Sequence, residues 1–175
     1  MYKNHRQRAI IRCLTDLDGY TQRTHPWPGP PLLAAVCEQR VVGHPYPTAR
    51  GVWVSPLPVP DEIWDHPDGL IAALRQASND LNTPDVQAQL VNVPAAAGIR
   101  ILAWVFQHSD MVIDEEFGPQ QVRFIDAVDI YDRSYILTRL PQQPTGGVTV
   151  HAAGATDDSG AIDILRTLTR DLRTG

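Results

Sequence analysis

The stretch GIRILAWVFQHSDMVIDEEFGPQQVRFIDAVDIYDRSYILTRL, Gly98 to Leu140, holds three runs dominated by β-branched and aromatic residues. They are GIRILAWVFQHSDMVI, VRFIDAVDIYD and SYILTRL, separated by DEEFGPQQ and by a tight turn at Asp132 and Arg133. Such residues fit the pleated, half-buried surface of a strand. Connections this short join antiparallel neighbours, so the stretch predicts a three-stranded meander. A meander needs its apolar surface covered, and the flanking sequence supplies the elements that cover and extend it.

Upstream, Ala9, Ile10, Cys13, Leu14 and Leu17 recur at spacings of three and four, with arginines on the remaining face. This predicts a helix over Asn4 to Leu17, with Gly19 as its stop. THPWPGPP, Thr24 to Pro31, follows as an extended loop, because its prolines forbid a helix. LLAAVCEQRVV and GVWVSPLPV then read as two strands joined by GHPYPTAR. Leu32 to Gln39 would also make two helical turns; strand is preferred because the second segment needs a partner. Proline at every second position from Pro56 to Pro60 removes ladder donors, so that strand ends near Ser55 or runs along a sheet edge. Most of the fifteen prolines lie in residues 25–60, which read as a segment wrapping the outside of the domain.

HPDGLIAALRQASNDLNTP carries Leu70, Leu74, Ala77 and Leu81 along one helical stripe. Asp65 is the expected N-cap, Pro67 lies in the first turn, Pro84 lies beyond the end, and Trp64 is placed to close over the start. Asp85 to Gly98 is a weakly patterned connection with one short element. After QQPTGG, VTVHA is a candidate sixth, short strand. A last helix from about Ser159 carries Ile162, Leu165, Leu168 and Leu172, with Asp157 to Ser159 as capping groups.

The order is helix, strand, strand, helix, three strands, helix. It predicts a single α+β domain over residues 1–175, built on one mainly antiparallel sheet of about five strands with helices packed on it. That order resembles profilin-like folds, particularly the roadblock family, in which a five-stranded antiparallel sheet lies between a terminal helix pair and a middle helix. The resemblance is one of element order over most of the chain and brings no site residues with it. PAS-type and secretion-chaperone folds use similar inventories. There is no internal repeat.

At 43% apolar and 20% charged residues, the 175-residue chain has the composition of an ordinary globular protein. A net charge of −5 argues against a main task of gripping nucleic-acid phosphates. Charge is uneven: Lys3, Arg6, Arg8, Arg12 and Arg23 make the start basic, whereas Asp110 to Asp132 is strongly acidic. The basic helix has no aromatic stacking platform beside it, so a nucleic-acid partner is not expected. Cys13 and Cys37 sit among apolar neighbours and read as buried hydrophobes. Apolar runs such as ILAWVF end after six residues, and the start has no signal-peptide pattern, so the expected address is cytoplasmic with no membrane partner. Lys3 is the only lysine among fifteen basic residues, a bias of GC-rich genomes that points to a high-GC bacterium or its phage.

Within the deciding stretch, His108, Asp110, Asp114, Glu115 and Glu116 fall close together and pose a metal or acid–base site against the polar rim of a hairpin. Pairing Ile113 with Val122 and Tyr131 with Ser134 sets the faces by alternation. Asp126 then falls opposite Arg139 as a structural ion pair. Asp114, Glu115 and Glu116 fall at the turn tip, where charge keeps an exposed hairpin soluble. His108, Asp110 and Asp129 remain on one face as candidate catalytic residues, with His108 and Asp129 as diagonal neighbours. No third ligand or nucleophile sits at a characteristic spacing, and the sequence lacks G-x-S-x-G, H-E-x-x-H, C-x-x-C and a phosphate-cradling glycine loop. No metal or cofactor is therefore expected.

Trp27, Tyr46, Trp53 and Trp64 cluster in the proline-rich third and form the candidate partner surface. The preferred reading is a non-enzymatic interaction or accessory module that docks on another protein or on itself through a sheet edge or a helix pair. One alternative is a small-ligand sensor of PAS or GAF type, with a cavity lined by Trp104, Phe106 and their neighbours. Another is a metal-dependent hydrolase using His108, Asp110 and Asp129.

Overall fold

Leu32–Arg40 is a strand, and a central one. Its six residues Leu33 to Glu38 are all buried, so neither periodicity shows: a strand covered on both faces reads as a continuous apolar run. This strand, β1, follows helix α1 (Tyr2–Thr24) and pairs with β2 (Arg50–Pro56). Helices α2 (Asp61–Trp64) and α3 (Leu70–Leu81) come next, then α4 (Pro84–Gln87), a π-helical turn (Ala88–Asn92) and α5 (Val93–Ala96). Strands β3 (Ile99–Asp114), β4 (Gly118–Asp129), β5 (Ser134–Arg139) and β6 (Gly147–His151) precede α6 (Gly160–Asp171). The computed structural model describes residues 2–46, 48–155 and 160–171. The expected capping groups Asp157 to Ser159, and Leu172, lie outside the described residues.

One antiparallel sheet of six strands, in the order β2-β1-β3-β4-β5-β6, forms the middle layer. VTVHA is thus a full sixth strand. Ile10, Leu14 and Leu17 of α1 pack with Ala34, Val36, Val105, Ile125 and Leu137 on one face. Leu74 and Ala77 of α3 pack with Ile162, Leu165 and Leu168 of α6 against Leu33, Trp104, Phe106 and Val128 on the other. The α+β class and the element order agree with expectation. The layering departs from the profilin-like arrangement, since α1 lies alone and α6 pairs with the middle helix instead of with α1.

Two helix boundaries differ from the sequence reading, each for a local reason. The first helix runs past Gly19 to Thr24 because its buried stripe continues in polar residues, Asp18 and Thr21, which apolar periodicity does not register. A mid-helix glycine, worth about 1 kcal/mol against alanine, is outweighed. Helix α3 begins at Leu70 with Gly69 as N-cap, not at Asp65, which ends α2. A turn intervenes, in which the Gly69 amide donates to the His66 carbonyl (3.0 Å) and the Asp68 amide to His66 Nδ1 (3.1 Å). The connection after α3 holds three short helical pieces where one element was expected.

The larger correction concerns register. Ile113 stands opposite Pro119, not Val122, and Ser134 stands opposite Val128, not Tyr131. Gly118, at φ +73°, closes a three-residue turn of Glu115, Glu116 and Phe117, so the polar GPQQ is strand and not loop. At the next turn Asp129 accepts the amides of Tyr131 (2.8 Å) and Arg133 (3.0 Å), and this side-chain-to-backbone turn takes up residues 130–133. Both shifts are odd, so every β4 side chain faces opposite to expectation relative to β3 and β5.

No helix among the described residues is long and apolar enough to cross a membrane.

Candidate interaction surface

The β3–β4 pair outruns its neighbours. Strand β1 pairs with β3 only as far as Gln107, and β5 pairs with β4 only from Arg123. Residues 108–122 therefore leave the sheet as a two-stranded arm, roughly 20 Å long at strand rise. A hairpin alone in water is marginally stable, so its root must hold it.

The root is a buried polar cluster on the α1 face. Asp18 accepts from Arg123 at 2.8 Å and from Arg139 at 2.7 Å, and all three side chains are nearly inaccessible. Arg123 also donates to the Pro28 carbonyl and lies 4.7 Å from the centre of the Trp27 ring. Gln107 donates to the Pro30 carbonyl (2.9 Å) and accepts from Thr21 (2.9 Å). The end of α1, the loop from Pro26 to Pro31 and the base of the arm are thereby tied together. Gly29 is required there: its φ is +90°, and a Cβ would lie 2.5 Å from Thr21 Cγ2.

This cluster reassigns the expected ion pair. Asp126 stands opposite Ile136 and Arg139 opposite Arg123, so Asp126 and Arg139 lie on different faces and do not meet. Asp126 is instead 3.1 Å from His108 Nε2. The imidazole is stacked between Phe106 (4.9 Å) and Phe124 (5.3 Å), and Trp64 stacks on Phe106 (5.8 Å). Asp129 lies on the α1 face, where it binds Arg133 and accepts the Tyr135 hydroxyl at 2.8 Å. Burial, reinforced by that bond, pushes the Tyr135 phenol well above its usual range. Asp110 is exposed on the arm and accepts the Met111 amide. The structure thus leaves His108 and Asp110 on one face of β3 and puts Asp129 on the other side of the sheet. Among the described residues no three His, Cys, Asp or Glu side chains gather closely enough to hold a metal ion.

On the arm itself, Met111, Ile113 and Phe117 are 57%, 81% and 67% exposed, and Val112 is 40% exposed. Opposite them stand Gln121, Gln120 and Pro119, so the large exposed apolar side chains of the arm belong to β3 and the turn. Asp114 caps the turn by accepting the amides of Glu116 (2.8 Å) and Phe117 (2.9 Å). Sequence reading found the acidic rim but passed over these apolar residues. The signal was strand length: a sixteen-residue β3 beside a nine-residue β1 must overhang.

The far edge of the sheet is also open. Strand β2 pairs with β1 alone. The Leu57 amide bonds to the Leu33 carbonyl and the Val41 amide to the Ala49 carbonyl, so pairs 33/57 and 41/49 are of the hydrogen-bonded kind. Alternation gives Gly51, Trp53 and Ser55 the inward amides, and leaves those of Val52 and Val54 pointing outward. A groove of about 550 Å³ runs beside them, walled by Leu17, Tyr20, Leu32, Val52, Val54 and Pro56. Cys13 also lines it, and burial raises its thiol to about 11.

The four aromatics expected to share a surface are dispersed. Trp64 packs against the α3–α6 core and Trp27 covers Arg123, whereas Tyr46 and Trp53 are exposed. Among the described residues, the prolines of 25–60 sit in loops apart from Pro56 at the end of β2, while β1 between them is interior. The cavity expected beside Trp104 and Phe106 amounts to about 140 Å³ against Trp104. Comparison with family models, with curated proteins and with solved structures gives no match for this chain.

Proposed function

We propose that this chain is a non-enzymatic protein-interaction module of structural or accessory kind, and that the β3–β4 arm is its contact element. The observation that carries the reading is the exposure of Met111, Ile113 and Phe117 together on an arm that neither neighbouring strand supports. Large apolar side chains gathered on a projection mark a docking surface, and a hairpin with both edges open accepts further strands. Asp110, Asp114, Glu115 and Glu116 keep the arm soluble when alone and favour a partner with basic residues beside an apolar strip. The buried root, with Asp18 holding both Arg123 and Arg139, fixes the direction in which the arm projects.

The test is a photoreactive amino acid in place of Phe117, illuminated in the native host. A protein adduct, to another chain or to a second copy, that the same probe at exposed Asp163 of α6 does not give is the expected result. No adduct at Phe117 would overturn the proposal. The groove beside β2 supports a second reading, a small-ligand sensor, for which stabilisation by a metabolite in a thermal-shift screen is the test.

A further inference from the structure

We infer that the arm's partner is a second copy of this chain, which it meets at the open edge of β2 so that the two sheets interlock about a two-fold axis. The inference rests on the arm being the contact element and names what it contacts.

The sheet edge is stepped. Strand β2 lies two positions outward from β3, and it ends at Pro56, opposite Ala34. Strand β1 begins at Leu32, opposite Gln107. Beyond that point the edge falls back to the free side of β3, from His108 to Asp114, which matches the seven-residue β2 in length. A two-fold axis normal to the sheet at the step turns this profile onto its own complement. Each β2 then enters the space beside the other copy's arm.

Three independent features agree with that operation. The first is direction. Both β2 and β3 are antiparallel to β1, so they run the same way within one copy, and the two-fold axis makes β2 antiparallel to the other arm.

The second is the parity of the amides along the two open edges. The Ile130 amide bonds to the Leu102 carbonyl, which makes the even-numbered β3 residues the ones bonded to β4. Ser109, Met111 and Ile113 are left with amides facing the free edge, where that of Met111 is held by the exposed carboxylate of Asp110. On β2 the outward amides are those of Val52 and Val54. In both strands these residues carry their side chains on the α1 face, and an axis normal to the sheet keeps the two α1 faces on one side. An in-plane axis would oppose the faces and lose the match.

The third is chemistry. With Met111 opposite Pro56 and Ile113 opposite Val54, Leu57 of one copy stays clear of Leu32 of the other along the shared strand line, and the arm's apolar side chains lie against the groove beside β2. The same register brings Glu115 and Glu116, at the acidic tip, alongside the start of β2, where Arg50 pairs with Arg40. Both arginines are exposed, and neither has an acidic partner among the described residues.

Sedimentation velocity or light scattering over a wide concentration range tests the inference on the intact chain. The expected result is a dimer that Ile113→Lys and Arg50→Glu each weaken by about tenfold or more, with circular dichroism unchanged. Both positions are exposed, so folding is preserved. Combining Arg50→Glu with Glu115→Arg should restore part of the loss. A dimer indifferent to both substitutions overturns the interlocked interface. A strict monomer overturns self-association, and the Phe117 crosslink then separates the two readings: an adduct to another protein leaves the interaction module standing, and no adduct removes both.

Discussion

Asp18→Asn should be the most destabilising single-atom exchange in the scaffold. Asp18 is 2% exposed, and its two oxygens each take a guanidinium, Arg123 at 2.8 Å and Arg139 at 2.7 Å. The amide keeps the shape of the carboxylate, removes its charge, and leaves two buried cations without a counter-charge. Breaking a buried ion pair by removing one partner costs about 3–5 kcal/mol. The lower end applies here, since Arg123 keeps the Pro28 carbonyl and the Trp27 ring, and Arg139 keeps the carbonyls of Gln143 and Pro144. At about 3 kcal/mol, a domain of this size loses roughly 6–12 °C in Tm. Urea titration of the variant beside Asp16→Asn gives the internal control, because Asp16 is one half-turn away on α1 but exposed, at 3.6 Å from Arg12. The control should change stability by less than about 0.5 kcal/mol. Replacing Asp18, Arg123 and Arg139 together by Leu, Met and Met should be less harmful than Asp18→Asn alone. A loss below about 1 kcal/mol for Asp18→Asn would refute the claim that this carboxylate holds the root of the arm.

Gly29→Ala forces a left-handed residue to carry a Cβ 2.5 Å from Thr21 Cγ2, and it should cost about 2–3 kcal/mol in a denaturant titration. Gly118→Ala, with positive φ but open space around it, should cost about 1 kcal/mol. Cys13 should resist alkylation at pH 8 in the native state and react once unfolded. The native thiol holds its proton to about 11, whereas the free group loses it near 9.0. The native state therefore binds more protons in that window. This contribution to stability is complete below pH 9 and declines as pH rises towards 11, and stability constant or rising across the window for the wild type relative to Cys13→Ala would contradict it. Chelator-treated protein should give no heat on titration with micromolar zinc, since Asp129 lies across the sheet from His108 and Asp110, and a stoichiometric heat would favour the hydrolase reading.

Where local pattern and tertiary environment agree, the fold is legible in the residues. The meander from Ile99 to Arg139, the strand pair around β1 and the stripes of α3 and α6 are all visible as period or composition. Register is not, because it depends on turn chemistry that composition conceals. Gly118 in a left-handed conformation and the Asp129 side chain each displaced a turn by an odd count, and that reversed the face of Asp126 and Asp129 at once. Buried polar residues escape in the same way: Asp18 and Thr21 extend α1 although they break its apolar stripe. The arm was half legible. Its acids were recognised as an exposed rim, but exposure of Met111 and Ile113 follows only from where β1 and β5 stop pairing.

Amide hydrogen exchange, resolved by residue and followed against protein concentration, tests the interlocked arm most directly. The amides of Met111 and Ile113 point to the free edge of β3, and that of Val54 to the free edge of β2. All three should exchange rapidly in dilute monomer, Met111 included because its bond is to the exposed Asp110 carboxylate, and become protected together as the dimer forms. Exchange at these three positions that stays rapid when the protein is dimeric would contradict the account.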